Sequence, residues 1–225
     1  MRNQVSFKVW GRQAMFTDPL TRVGGEKCSY HFPTYGALQG VCESVYWKPT
    51  FVWRVDRVRV LNSVRTQAKS MKPLGTLSYY TYLKDVAYQV DAHFEWNAYR
   101  PELKADRVGG KHLAIAKRSL EKGGRRDIFL GTRECQAYVE PCEFGEGKGA
   151  YDDVSELGYG LVFHSFGYPD EIGGSEMVTR FHRAVLEAGV LNFPRPEDCM
   201  QKVIRETEAK KFQLGVNMCP VDREV

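Results

Sequence analysis

Cysteine and histidine are scarce in this sequence. Six cysteines in 225 residues are too few for a disulfide scaffold, and none stands in a CxxC pair, the commonest element of structural zinc sites. Cys28 and His31 have a ligand-like spacing but no second pair to complete it, and the cysteines read as ordinary reduced thiols. No run of 18 apolar residues exists to cross a bilayer, and Met1-Arg2-Asn3-Gln4 leads straight into a strand-like pattern without an apolar leader. A soluble, cytoplasmic protein without membrane association is expected.

Several catalytic signatures are missing as well. There is no G-x-S-x-G nucleophile elbow. Gly110-Lys111 superficially suggests a nucleotide-binding P-loop, but Ala105 stands where its first glycine should be and His112 replaces the Ser or Thr. Asp85, Asp91 and Glu95 are the nearest approach to a carboxylate metal site, yet they form no tight cluster and are expected on a solvated face. No cofactor and no metal is implied.

What the sequence does have is a strong internal charge asymmetry. Residues 1–126 carry 22 Lys and Arg against 10 Asp and Glu, a balance of +12, while residues 127–225 carry 10 against 18, a balance of −8. Such an imbalance points to a polyanion partner for the basic half. Aromatic residues interleave there (Trp10, Tyr30, Tyr35, Tyr46, Trp47, Trp53, Tyr79, Tyr80, Tyr82), and aromatics can stack on unpaired bases as readily as they fill a core.

The hydrophobic periodicity describes an α+β protein. Val5, Phe7 and Val9 alternate as a first strand, and Thr34 caps a helix over 34–47 whose apolar positions recur at three and four before Pro49 stops it. A second strand from Phe51 to Val60 changes face near Asp56, which predicts a bulge. Leu77–Leu83 and Val86–Trp96 read as two further strands, the latter with Gln89, Asp91 and His93 on a solvated face. A second helix is expected over 106–122, firm only from Lys111, with Leu113, Ala116 and Leu120 inward and Gly123-Gly124 as the stop. A strand over 133–140 completes the order strand, helix, strand, strand, helix, strand, that of a ferredoxin-like (RRM-like) sandwich.

Beyond about residue 142 the chain turns acidic and Gly-rich. Leu161–Phe166 and Met177–Phe181 read as strands and 197–211 as a helix. Two domains are expected: 1–142, ferredoxin-like, and 143–225, small and β-rich.

Lys111 and His112 are the pair in which chemistry is expected first. At a helix start, free amides and the helix dipole favour a phosphate beside them, and both the dipole and the neighbouring lysine favour neutral imidazole at His112. RNA carries its own nucleophile, the 2′-hydroxyl. Its cleavage therefore needs proton transfer and a cation for the phosphorane, and no metal.

Phe7-Lys8-Val9-Trp10-Gly11, Pro33-Thr34-Tyr35-Gly36-Ala37-Leu38-Gln39-Gly40, Tyr82-Leu83-Lys84-Asp85-Val86-Ala87-Tyr88, Asp127-Ile128-Phe129-Leu130-Gly131-Thr132-Arg133-Glu134-Cys135 and Gly158-Tyr159-Gly160-Leu161 are the segments that carry a family likeness. Together they span nearly the whole chain. The sequence resembles the d-type Cas-five family (Dvulg, subtype I-C) of CRISPR-associated proteins. The resemblance implies a ferredoxin-like N-terminal domain, a small β-rich C-terminal domain, and metal-independent cleavage of CRISPR precursor RNA at the base of the repeat stem-loop. It further implies that the protein stays on the 5′ handle of the crRNA beside the other type I-C Cascade subunits. The family's Tyr, Lys, His active site falls on Tyr46, Lys111 and His112, with His112 as base or acid, Lys111 on the phosphorane and Tyr46 on the phosphate. Arg57, Arg59, Lys117 and Arg118 are candidate RNA contacts by charge alone. Two other readings stay open: a catalytically silent scaffold capping the crRNA handle, and a metal-dependent nuclease that also binds and cuts DNA.

Overall fold

The computed structural model describes residues 3–72 and 75–224; Met1 and Arg2, with which the sequence opens, lie outside them. The elements in chain order are β1 (Gln4–Ala14), α1 (Pro19–Arg22), α2 (Tyr35–Val45), β2 (Phe51–Val60), β3 (Thr66–Met71), β4 (Ser78–Trp96), α3 (Gly109–Glu121), β5 (Ile128–Phe129), β6 (Gln136–Pro141), β7 (Glu156–Gly167), α4 (Pro169–Ile172), β8 (Glu176–Glu187), β9 (Val190–Asn192) and β10 (Met200–Glu206). Short 3₁₀ turns lie at Pro101–Asp106, Pro196–Asp198 and Val221–Arg223.

One antiparallel sheet runs through the molecule in the order β10-β8-β9-β2-β4-β1-β6-β5, with β3 pairing β4 and β7 pairing β8 off that path. At its centre β4 lies between β1 and β2, and β6 flanks β1. The strands beyond residue 142 join this sheet through β9, which pairs both β2 and β8.

Sequence and structure agree on the central elements. Thr34 Oγ1 accepts from the Ala37 amide and caps α2, while Tyr35, Leu38, Val41, Cys42 and Val45 form its buried face. The change of face in β2 is a register shift between Val55 and Arg57. Gly123 (φ +83°) and Gly124 (φ +102°) end α3 in the left-handed region that glycine adopts without a Cβ penalty.

Four expectations are corrected. The two strands read over 77–96 are one strand, β4, which passes through Asp85 at a positive φ of 51° and carries β3 on its first half. The polar face of β4 is not solvated: Gln89, Asp91 and His93 are 3, 1 and 7% exposed. Each has a partner there, since Gln89 bonds Arg59 and the 143–147 loop, Asp91 bonds Ser6 and Arg57, and His93 bonds Asp56. The expected helix over 197–211 is absent: its middle, Met200–Glu206, is the strand β10, whose backbone pairs with β8, and 207–211 is irregular; the β-branched pair Val203-Ile204 suits a pleated edge better than a helix. The second helix starts at Gly109, and its buried row is His112, Ile115, Ala116, Ser119 and Leu120, with Leu113 only half-buried.

All six cysteines are free thiols. No helix among the described residues is long and apolar enough to cross a membrane.

Candidate active site

The structure brings Tyr46 and His112 together from the two long helices. Tyr46 is the first extended residue after α2, its amide still bonded to the Cys42 carbonyl and its own carbonyl accepting from the Trp53 indole N–H at 2.7 Å. These bonds, with Phe51 packed at 5.5 Å, fix the ring. His112 occupies the first position of the inward stripe of α3, so its imidazole points into the protein, edge-on to Phe51, Phe94 and Trp96. The Tyr46 hydroxyl and His112 Nδ1 are 2.8 Å apart.

The second ring nitrogen decides the proton arrangement. His112 Nε2 lies 2.6 Å from the backbone carbonyl oxygen of Asp106, which can only accept, so Nε2 carries the proton. In the neutral ring Nδ1 is then the acceptor, and it receives the Tyr46 O–H. Burial pushes the His112 pKa below the ordinary imidazole value, and the Lys48 charge acts in the same direction against the Asp106 carbonyl and carboxylate. The neutral state expected from sequence is thus retained, but its main cause is desolvation of a side chain with no exposed surface rather than a solvated helix start.

Asp106 organises the floor beneath this pair. Its carboxylate accepts from Thr50 Oγ1 at 2.7 Å and from the Val221 amide at 2.5 Å, and it pairs with Lys48 at 3.4 Å. Lys48 also reaches the Glu224 carboxylate at 2.9 Å. Arg125 pairs with Glu224 at 3.0 Å and stacks its guanidinium over the Tyr46 ring at 4.8 Å. Burial first, then the Glu224 charge, raises the Tyr46 pKa, with Arg125 opposing. Lys111 stands on the outer side of α3, half-exposed, in an ion pair with Asp222.

Of the residues expected from sequence, Tyr46 and His112 therefore meet directly, while Lys111 points to the solvent side. Asp106, Lys48 and Arg125 were not singled out. Their positions depend on contacts between distant segments, which no local pattern encodes. The burial of His112 did have a signal, because 112, 115, 116, 119 and 120 share one helical face.

Among the charged contacts expected for RNA, Arg59 is corrected. It is 6% exposed and bonded to Asp152, Gln89 and the carbonyls of Glu146 and Gly147, so it ties the 143–152 loop to β2. Arg57 is half-exposed, paired with Asp91 at 2.7 Å and stacked on Phe144 at 4.0 Å. Lys117 and Arg118 are exposed on α3. Asp85, Asp91 and Glu95 do not converge: Asp91 is held by Ser6 and Arg57, and Glu95 pairs with Arg54. Among the described residues no group of three or more His, Cys, Asp or Glu has a metal-holding arrangement.

Comparison with known proteins places the chain in a family. The Cas5d model of the family described as CRISPR-associated protein (Cas_Cas5) matches residues 5–194. The chain belongs to the Cas5d family. Two relatives are named CRISPR pre-crRNA endoribonuclease Cas5d. The one from Mannheimia succiniciproducens is 26% identical over 86% of this chain and 96% of its own, and the one from Thermus thermophilus is 36% identical over 61% and 64%. Among solved structures, one described as a CRISPR-associated protein superposes on this Cas5d chain with a TM-score of 0.78 at 36% identity, covering 88% of this chain and 96% of that one. A functionally uncharacterized protein from Streptococcus mutans, SMU1763c, gives 0.76 at 37% identity with the same coverage. The mixed helix and antiparallel-sheet architecture is thus shared with proteins related in sequence.

Proposed function

We propose that this Cas5d chain is a metal-independent endoribonuclease that cleaves CRISPR precursor RNA at the repeat stem-loop and keeps the 5′ handle of its product. Family membership and the names of the two relatives support the substrate class. The observation that carries the chemistry is the hydrogen bond from Tyr46 to His112 Nδ1, with Nε2 already committed to the Asp106 carbonyl.

In this reading the 2′-oxygen of the RNA attacks the adjacent phosphorus and the P–O5′ bond breaks, leaving a 2′,3′-cyclic phosphate and a 5′-hydroxyl. Proton transfer at the 2′-oxygen or the 5′-oxygen runs through the Tyr46–His112 pair: His112 Nδ1 takes or returns the tyrosyl proton while the phenol oxygen meets the RNA. Lys111 stabilises charge on the phosphorane oxygens. The neutral ring required of His112 near pH 7 is the one its burial favours.

The fold supports the finer architecture as well. The pairing β2-β4-β1-β6, with α2 after β1 and α3 after β4, has the order of a ferredoxin-like sandwich over 1–142, and β7–β10 then form the β-rich unit of 143–225. The excess of Lys and Arg in the first half would supply phosphate contacts, and the hairpin's shape and unpaired flanks the specificity. Assembly with other type I-C Cascade subunits in the cytoplasm belongs to the same reading. Binding or cutting of DNA is a separate outcome, which its own substrate arm decides.

One observation favours the silent crRNA-capping scaffold instead: Tyr46 and His112 are 1 and 0% exposed. Incubation with the cognate repeat hairpin in EDTA separates the two. Cleavage by the wild type, lost in His112→Ala and on a repeat with a 2′-deoxy scissile nucleotide, with a cyclic-phosphate end group, is expected. Binding without cleavage by the wild type would make the chain a scaffold, and EDTA-sensitive cutting of RNA and DNA alike would make it a metal nuclease.

A further inference from the structure

The segment from Cys219 to Glu224 closes over the Tyr46–His112 pair, and its first residue is tied to the site by its backbone, the Cys219 carbonyl accepting from Lys48 Nζ. Val221 is a fixed anchor, 2% exposed, with its amide on the buried Asp106 carboxylate. The two carboxylates beyond it rest on cations. Asp222 pairs with Lys111, both side chains more than half exposed. Glu224 lies between Lys48 and Arg125, at 2.9 and 3.0 Å, beside the Tyr46 hydroxyl whose proton affinity it raises.

These are the positions an RNA phosphate would need. An anion between Lys48 and Arg125 has the tyrosyl oxygen beside it and His112 behind, and a second on Lys111 follows the outer side of the same helix. Lys48 does not depend on Glu224 for neutralisation, because Asp106 already pairs with it. Arg125 is held independently too: its backbone amide donates to the Ser44 carbonyl, and its guanidinium stacks on Tyr46. The guanidinium fork is then presented to whichever anion arrives, and an arginine fork binds carboxylate and phosphate by the same paired geometry.

We propose that Lys48 and Arg125, together with Lys111, form the phosphate-binding face of the Tyr46–His112 site, and that Glu224 and Asp222 occupy this face in the RNA-free chain as exchangeable anions. This rests on the reading of the site as one that takes RNA. The exchange is like for like, carboxylate for phosphate, so the cations keep a partner throughout. Val221 retains the segment while its carboxylates leave. The closed site and an RNA-cleaving site are then two states of one arrangement, with RNA competing against the chain's own acidic residues.

The test is binding of the cognate repeat hairpin with 2′-deoxy riboses at the base of the stem, followed by fluorescence anisotropy over a salt series, at a temperature below the onset of unfolding recorded for each variant. Asp222→Asn with Glu224→Gln is expected to bind roughly threefold tighter or more than wild type at low salt, since the competing charges are gone. Adding Arg125→Ala to that double variant should weaken binding roughly threefold or more and flatten the salt dependence by about one phosphate contact. A double variant that stays folded and binds no tighter, or an Arg125→Ala change that moves neither affinity nor slope, overturns the proposal. These readouts are independent of cutting. If both binding shifts appear but intact ribose substrate is never cleaved, the nuclease reading fails and the phosphate face stands; if wild type cleaves and the shifts are absent, the phosphate face alone fails.

Discussion

Tyr46 and His112 lie 66 positions apart in sequence and share one hydrogen bond of 2.8 Å, in which the tyrosine donates. The bond joins the end of one helix to the first buried position of the other, so it forms only when both helices are seated on the sheet. Tyr46→Phe keeps the ring and its contact with Phe51 but removes the proton that His112 would exchange. Single-turnover cleavage of the repeat hairpin is expected to fall by about 10²-fold or more, the scale of losing positioned acid–base catalysis, while RNA affinity changes little and the unfolding free energy drops by about 1–3 kcal/mol, because the buried His112 Nδ1 loses its donor. Unchanged cleavage would show that the phenol has no part in the reaction.

Asp106 predicts a different phenotype. Its carboxylate and the Lys48 ammonium are both buried, and the same carboxylate satisfies Thr50 and the Val221 amide. Asp106→Ala removes one partner of a buried ion pair, which typically costs about 3–5 kcal/mol, here moderated because Glu224 still reaches Lys48. Urea unfolding should show a loss toward the lower end of that range. A loss below about 1 kcal/mol, the size of an exposed ion pair, would mean that Lys48 escapes to water when Asp106 is absent.

The two helices and the central strands were legible because their signals are local. Thr34 before an apolar row, the double glycine after α3 and the face change at Asp56 each act within a few residues. The solvated polar face assigned to β4 failed for the opposite reason. Alternation shows which side chains share a face but not whether a loop will cover it, and the loop that covers Gln89 is held by Arg59 and Asp152 from β2 and beyond. The candidate site divides in the same way. Tyr46, Lys111 and His112 were named from family resemblance and helix position, whereas the floor of Asp106 and Lys48 and the cover of Glu224 arise from segments that meet only in three dimensions.

Gly131, within one of the motif segments, sits at φ +92°, and a Cβ there would run into the Met15 carbonyl. That carbonyl belongs to the segment that follows β1, whose Met15 amide bonds the Leu130 carbonyl. Gly131→Ala combines left-handed strain with a backbone clash, and an unfolding free energy lower by about 3 kcal/mol or more is expected. Gly145, also at positive φ but with open space around it, is the control: its alanine variant bears the φ cost alone, about 1 kcal/mol. Equal effects at the two sites would show that the 128–135 segment yields where Met15 meets it.

Acid sensitivity follows from the buried imidazoles. Burial lowers the pKa of His112, of His164 to about 3 and of His182 to about 4. Because each folded value lies below the unfolded value of about 6.5, the unfolded chain binds more protons in this range. The stability these groups contribute is therefore complete above about pH 6.5 and is lost as pH falls through it toward their folded values. His93, raised by its bond to Asp56, and Glu43, pushed up to about 7 by burial, have the opposite sign, since both bind protons more readily when folded. The His164 contribution is isolated by comparing wild type with His164→Phe, which keeps a ring stacked on Tyr35 while deleting the titrating nitrogens. Urea unfolding between pH 7 and 4 should give a difference between the two proteins that shifts in favour of the variant as pH drops below about 6.5. A difference that stays constant across that window would mean that His164 remains neutral in the unfolded chain or is protonated without cost in the folded one.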